Sequence, residues 1–184
     1  MAGSKNSKKK LNTTLLFLLN ILNSNNIKNW FIGYGTLLGI VREDSCIDGD
    51  DDIDIICDIK CYDKIKALMM NNGLKLFYGY GIGNSKRILK TVPTDSFCSI
   101  DFYMAEIDGE GNFNDKWENV IWCKCFIDNK QCFIDNSQNL IEYKWRDTVL
   151  YMPNNFEKKL IGRYGKDWKI PRQTKGPKPR KRKI

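Results

Sequence analysis

Apolar positions repeat along this chain with two periods. In residues 11–23, Leu11, Leu15, Leu18, Leu19 and Leu22 fall three and four apart, which lines one face of a helix. Residues 27–32 end in Trp30-Phe31-Ile32 and read as a strand; Gly33-Tyr34-Gly35-Thr36 then turns the chain into a short helix over 36–42. Residues 53–57 form a second strand, and 62–71 a helix carrying Ile65, Leu68 and Met69, stopped by Gly73. Strands are expected at 74–80 and 87–92, joined by a glycine-rich loop suited equally to wrapping a ligand or closing a hairpin. A further strand spans 96–104, with Asp101 its one charge, and 108–115 reads as a polar turn. Short strands or a hairpin around Asp128-Asn129 fill 117–133, and one or two strands fill 140–152. Residues 153–162 predict a helix opened by Pro153 and an Asn cap, burying Phe156, Leu160 and Ile161. Strands interspersed with helices imply an α+β fold with a mixed sheet, and no internal repeat is visible.

Composition sharpens this picture at the ends. The chain has 184 residues and a net charge of +8. Four lysines lie in residues 1–10 and seven Lys/Arg in 172–184, with no acid in either. The nineteen basic and twenty-two acidic residues left give 11–171 a net charge of −3. One folded domain over 11–171 is therefore expected between disordered basic ends. Such a length buries roughly 70% of its unfolded surface without disulfide staples. The basic tail suits a nuclear localisation signal, a weak nucleic-acid contact or a solubilising tail. Lys8–Lys10 followed by an apolar run also resembles a signal peptide. Asn20 interrupts that run, which is too short to span a bilayer, so no transmembrane segment is expected.

Seven cysteines, an odd number with several in apolar runs, fit free thiols in a reducing, cytoplasmic compartment. A zinc site from Cys123, Cys125 and Cys132 is an alternative with unusual spacing. The chain has no histidine, which excludes histidine-based triads, general bases and metal ligands.

The chemistry concentrates between Glu43 and Asp54, where seven of twelve residues are acidic. Two carboxylates about 4 Å apart repel by roughly 4 kcal/mol at an effective dielectric near 20. Such acids either splay into water, as on an exposed edge strand, or share a cation. Alternation puts Asp52 and Asp54 on one face of their strand and Ile53 and Ile55 on the other, a pattern suited to Mg²⁺ or Mn²⁺. Calcium is disfavoured, because no glutamate stands at the twelfth position of an EF-hand loop begun at Asp48, Asp50 or Asp52. Asp101 is costly if buried unless it is paired or bound to a metal; the alternative is an Asp on the solvent face of an edge strand. Upstream, the glycines at 33 and 35 and the helix start at Thr36 suit a phosphate.

Gly35-Thr36-Leu37-Leu38-Gly39-Ile40-Val41-Arg42, a spacer, then Asp50-Asp51-Asp52-Ile53-Asp54 resembles the LicD/fukutin family signature and the wider nucleotidyltransferase pattern. Arg163-Tyr164-Gly165, followed by Trp168 and Pro171, resembles the family's closing motif, so the likeness covers roughly 11–171. The chain departs where Asp48-Gly49 replaces a common Pro-Trp and where Glu43 follows Arg42. The resemblance implies a nucleotidyltransferase-like fold and transfer of a phospho-alcohol, such as phosphocholine or ribitol phosphate, from a CDP-linked donor to a glycan hydroxyl. Asp52 and Asp54 would hold one or two Mg²⁺ or Mn²⁺ ions; Asp101 would hold the second or deprotonate the acceptor. Gly35 and Thr36 would bind phosphate. Arg42 would pair with a phosphate oxygen or form a salt bridge to the acidic run. Two rivals stay open: nucleotidyl transfer onto RNA or a small molecule, and a catalytically degenerate binding domain.

Overall fold

The computed structural model describes residues 7–79, 85–122 and 140–171, together with the backbone of Phe126–Ile127 and Lys130–Gln131. The loop at 80–84, the cysteines of the zinc alternative, residues 1–6 of the basic N-terminal end and the tail at 172–184 lie outside the described residues. Lys8–Lys10, expected to be disordered with the rest of 1–10, instead form the first turn of a helix.

The architecture is α+β, as the pattern predicts. Helix α1 (Lys8–Ser24) buries Leu11, Leu15, Leu18, Leu19 and Leu22 completely and packs against β2 (Asp52–Asp58) and β11 (Thr148–Pro153). Burying each such leucine contributes about 1.5–3 kcal/mol. Strand β1 (Trp30–Ile32) leads into α2 (Tyr34–Glu43); β2 leads through a 3-10 turn (Ile59–Cys61) into α3 (Tyr62–Asn71). Then come β3 (Leu76–Phe77), β4 (Ile88–Thr91), β5 (Ser99–Ile107), β6 (Phe113–Asp115) and β7 (Val120–Trp122). Strands β8 (Phe126–Ile127) and β9 (Lys130–Gln131) pair antiparallel, as do β10 (Leu140–Trp145) and β11, before α4 (Phe156–Tyr164).

The main sheet runs β1-β2-β5-β4-β3, and β6 joins β5 beyond β4. Only β2 and β5 are parallel among its described pairs; the others are antiparallel. The crossover from β2 through α3 thus places β5 at the sheet's centre, where it buries Ile100, Phe102 and Met104 on one face. Phe31, Trp122 and Phe113 pack edge to face between the strands.

Several boundaries differ from the pattern. The strand expected at 74–80 shrinks to Leu76–Phe77. The polar stretch 108–115 contains β6, because Phe113 and Asp115 are both buried against β5. Pro153 ends β11 at the sheet edge, where a missing N–H costs no ladder bond, and α4 starts three residues later. Asn155 is its N-cap, without a side-chain cap bond. No described helix is long and apolar enough to cross a membrane.

Candidate active site

Strand register assembles the site. Asp54 on β2 lies opposite Asp101 on β5, and Asp101 lies opposite Lys90 on β4. Register partners point to the same face of a sheet, so these side chains form a row across neighbouring strands, with Asp52 one step along β2. Asp54 and Asp101 are 6% and 5% exposed, which keeps both carboxylates out of bulk water.

The turn before α2 fixes Asp54. The Gly33 N–H donates to the Asp54 carbonyl (3.0 Å), the Asp54 N–H donates to Thr36 Oγ1 (2.9 Å), and the Gly35 N–H donates to Asp54 Oδ2 (3.0 Å). The helix N-terminus therefore faces the carboxylate, a favourable dipole arrangement. Thr36 is buried, and its hydroxyl oxygen positions Asp54. Tyr34, between the two glycines, adopts φ +42 and donates its hydroxyl to Asp115 Oδ2 (2.6 Å). A left-handed tyrosine is a strained backbone, held here by that buried bond.

The acidic loop between α2 and β2 is docked on α1. Asn12 donates to Ser45 Oγ (2.7 Å) and accepts from the Cys46 N–H (2.9 Å). Ser7 Oγ accepts from the Gly49 N–H, and the Lys8 N–H at the helix start donates to Asp48 Oδ1. Trp145 Nε1 donates to the Asp44 carbonyl from the other side. Held so, Asp50, Asp51 and Asp52 can each bring a carboxylate oxygen within 4.8 Å of the others, an arrangement that could hold a metal ion.

The charge of these carboxylates is only partly compensated, by Lys90. Burial, then the neighbouring Asp101 and Asp51 carboxylates, push Asp52 up to about 7 against the pull of Lys90. Burial and the charges of Asp52, Asp50 and Asp101 raise Asp54 well above the ordinary range. Burial also raises Asp50. Asp101 is raised by burial, although Lys90 and Ser99 act in the opposite direction.

Of the residues singled out in the sequence, Asp52, Asp54, Asp101, Gly35 and Thr36 come together. Arg42 does not join them; its Nε and Nη2 donate to Glu43 Oε1 at 3.0 and 2.6 Å, and Lys8 binds the same carboxylate. Sequence reasoning missed Lys90, whose ammonium lies 2.7 and 2.6 Å from the two oxygens of Asp101 and 3.7 Å from Asp52 Oδ2. Its signal is a lone cation in the apolar strand Ile88-Leu89-Lys90. Asp50, Tyr103 and the end of α4 were also missed. Tyr103 follows Asp101 on the same face of β5, and burial and the site's carboxylates raise its pKa. Arg163 lies 4.3 Å over the Tyr34 ring, and Tyr164 is close enough to feel the charges of Asp54 and Asp50. An open cleft of about 610 Å³ adjoins the acidic loop at Asp48, lined by Lys8, Lys9, Asn12, Thr13 and Arg146 as well, but not by Asp52, Asp54 or Asp101.

Comparison with known proteins places this geometry in a lineage. No curated protein matches the chain. Matching solved structures include a crystal structure of the lincosamide antibiotic adenylyltransferase LnuA with lincomycin bound, at 14% identity and a TM-score of 0.53, covering 88% of this chain and 89% of that one. That likeness is one of fold, and it is a nucleotidyltransferase-like fold. The model of the LicD/FKTN/FKRP nucleotidyltransferase domain matches residues 26–155, from the chain before β1 to the start of α4. With most of its length matched by that model, the chain belongs to the LicD/FKTN/FKRP family.

Proposed function

We propose that this chain is a metal-dependent transferase that moves a phospho-alcohol, of the phosphocholine or ribitol-phosphate type, from a CDP-linked donor to a glycan hydroxyl. Family membership and fold support a transferase; donor and acceptor are carried by the resemblance. The observation that carries the reading is the in-register row of Asp54 and Asp101, with Asp52 beside them, at the N-terminus of α2.

The residues present fit a hard divalent ion. Every candidate donor is a carboxylate oxygen, and the Asp50, Asp51 and Asp52 oxygens converge. The raised pKa values of Asp52 and Asp54 mark a site short of positive charge. Asp52 and Asp54, with Asp50, would hold Mg²⁺ or Mn²⁺, and Asp101 closes the site on its β4 side. A bound ion there would neutralise phosphate charge on the donor and on the departing nucleotide. The chain's own part is positional. Gly35 and Thr36 hold Asp54 in one orientation, the α1 contacts hold the loop that carries Asp50, and burial keeps water from the Asp54 and Asp101 carboxylates.

Two measurements test the reading. Asp52→Asn and Asp54→Asn should each abolish Mg²⁺-dependent transfer while leaving the fold intact; retained turnover in either would remove that residue from the assignment. A thermal-shift screen of CTP, CDP-choline, CDP-ribitol, ATP and GTP, with and without Mg²⁺ or Mn²⁺, reads binding to the folded state. A metal-dependent shift confined to cytidine compounds is expected. A shift with ATP or GTP instead would favour nucleotidyl transfer, and no shift at all would favour a binding domain.

A further inference from the structure

Both oxygens of Asp101 are already engaged. Lys90 Nζ donates to each, at 2.7 and 2.6 Å, and the Ser99 hydroxyl donates to Oδ1 at 3.1 Å. The pairing follows from the sheet, since antiparallel β4 sets Lys90 opposite Asp101 while parallel β5 sets Asp101 opposite Asp54. The same ammonium is 3.7 Å from Asp52 Oδ2, so it lies between the carboxylates of β2 and β5. Sites with two metal ions place them about 3.5–4 Å apart, bridged by shared carboxylates. Here a compact, three-donor ammonium holds the bridging position on the Asp101 side. The carboxylates that converge lie on the other side, at Asp50, Asp51 and Asp52, where Lys90 reaches Asp52 only at 3.7 Å and hydrogen-bonds Asp101 instead, and Asp54 Oδ2 there accepts from the Gly35 N–H.

We propose that the site takes a single divalent ion, on its Asp50/Asp52/Asp54 side, and that the Lys90 ammonium, bound to Asp101, is the built-in second cation. The inference rests on the metal-dependent reading above and settles its stoichiometry. It makes Lys90 a charge-positioning residue: it keeps Asp101 from recruiting a second ion and supplies a fixed positive charge beside the donor's phosphates.

The test is a count of Mn²⁺ bound to the full chain, by calorimetry and by electron paramagnetic resonance of free Mn²⁺. Wild type should bind one ion per chain, and Lys90→Arg should also bind one. Lys90→Met, which keeps the apolar stem and removes the charge, should free Asp101 and bind two. Asp101→Asn should still bind one, because Asp101 is not a ligand of that ion; this arm decides the matter if Lys90→Met fails to fold by circular dichroism. Two ions on wild type, one ion on a folded Lys90→Met, or loss of the ion in Asp101→Asn would each overturn the inference and leave the transferase reading standing. No ion on wild type would defeat the metal-dependent reading beneath it.

Discussion

Gly35 shows how closely the site is built around single atoms. A Cβ at this position would lie 2.4 Å from Asp50 Oδ2 and 3.4 Å from Asp54 Oδ2. The nearer atom is the end of a rotatable side chain, so Gly35→Ala should turn the Asp50 carboxylate away rather than disrupt α2. Helical alanine is favoured over glycine by about 0.5–1 kcal/mol, so the melting temperature should change little. Mn²⁺ affinity should fall about tenfold or more, the size of loss seen when a metal site's supporting geometry is disturbed. Calorimetry beside thermal unfolding checks this, and unchanged affinity would show that Asp50 is not a ligand. Asp52 and Asp54 were legible as a pair because alternation puts them on one face, and Asp101 stood out as a charge within an apolar strand, but only the resemblance set it against the other two. Lys90 was not, because its partner lies eleven residues away on a strand whose register local spacing does not specify. The roles of Gly35 and Thr36 were half legible. The glycine turn was visible, but its bonds to Asp54 depend on β1 lying beside β2.

At the scale of elements, the contact between α2 and the acidic loop is the tightest fit near the site. A Cβ at Gly39 would meet the Ser45 carbonyl oxygen at 2.5 Å, the Ile47 nitrogen at 3.0 Å and the Cys46 Cα at 3.1 Å. All are backbone atoms, and that backbone is clamped by Asn12 from α1 and by Trp145 from β10. Gly39→Ala should therefore destabilise the protein by about 1–3 kcal/mol, the usual cost of overpacking a site that cannot yield. Gly162 in α4 meets nothing within 4 Å, so Gly162→Ala is the matched control and should stabilise by about 0.5–1 kcal/mol. Urea unfolding of the two variants gives the comparison, and equal stabilities would mean the loop is not clamped. The helix at 62–71 was readable from its apolar spacing, whereas 140–152 read only as one or two strands and the antiparallel pairing of β10 with β11 was not foreseen. The burial of Asn12 was not: a polar residue on a helix reads as solvent-facing until a loop from elsewhere docks on it.

For the whole molecule, net charge misleads about what limits stability. The chain is basic overall, yet its sheet centre concentrates carboxylates, and the cation facing Asp101 and Asp52 among the described residues is Lys90. In the unfolded chain these aspartates have ordinary values near about 3.9. In the fold Asp52 is raised to about 7, and Asp54, Asp50 and Asp101 are raised as well. The folded state thus retains protons that the unfolded state has released, so stability must fall as pH rises. That contribution is fully present below the unfolded value and is lost as pH rises through about 7 for Asp52. Without metal, the melting temperature should drop between about pH 5 and about pH 8. A divalent ion binds the deprotonated carboxylates of the folded state and should shrink that drop, with its largest stabilisation at the alkaline end. Scanning calorimetry across this range, in chelator and in Mg²⁺ or Mn²⁺, separates the two effects. A metal-free protein that is equally stable at both ends would show that the cluster is open to water in solution. A drop that the metal does not reduce would show that the acids are buried together but do not gather around an ion.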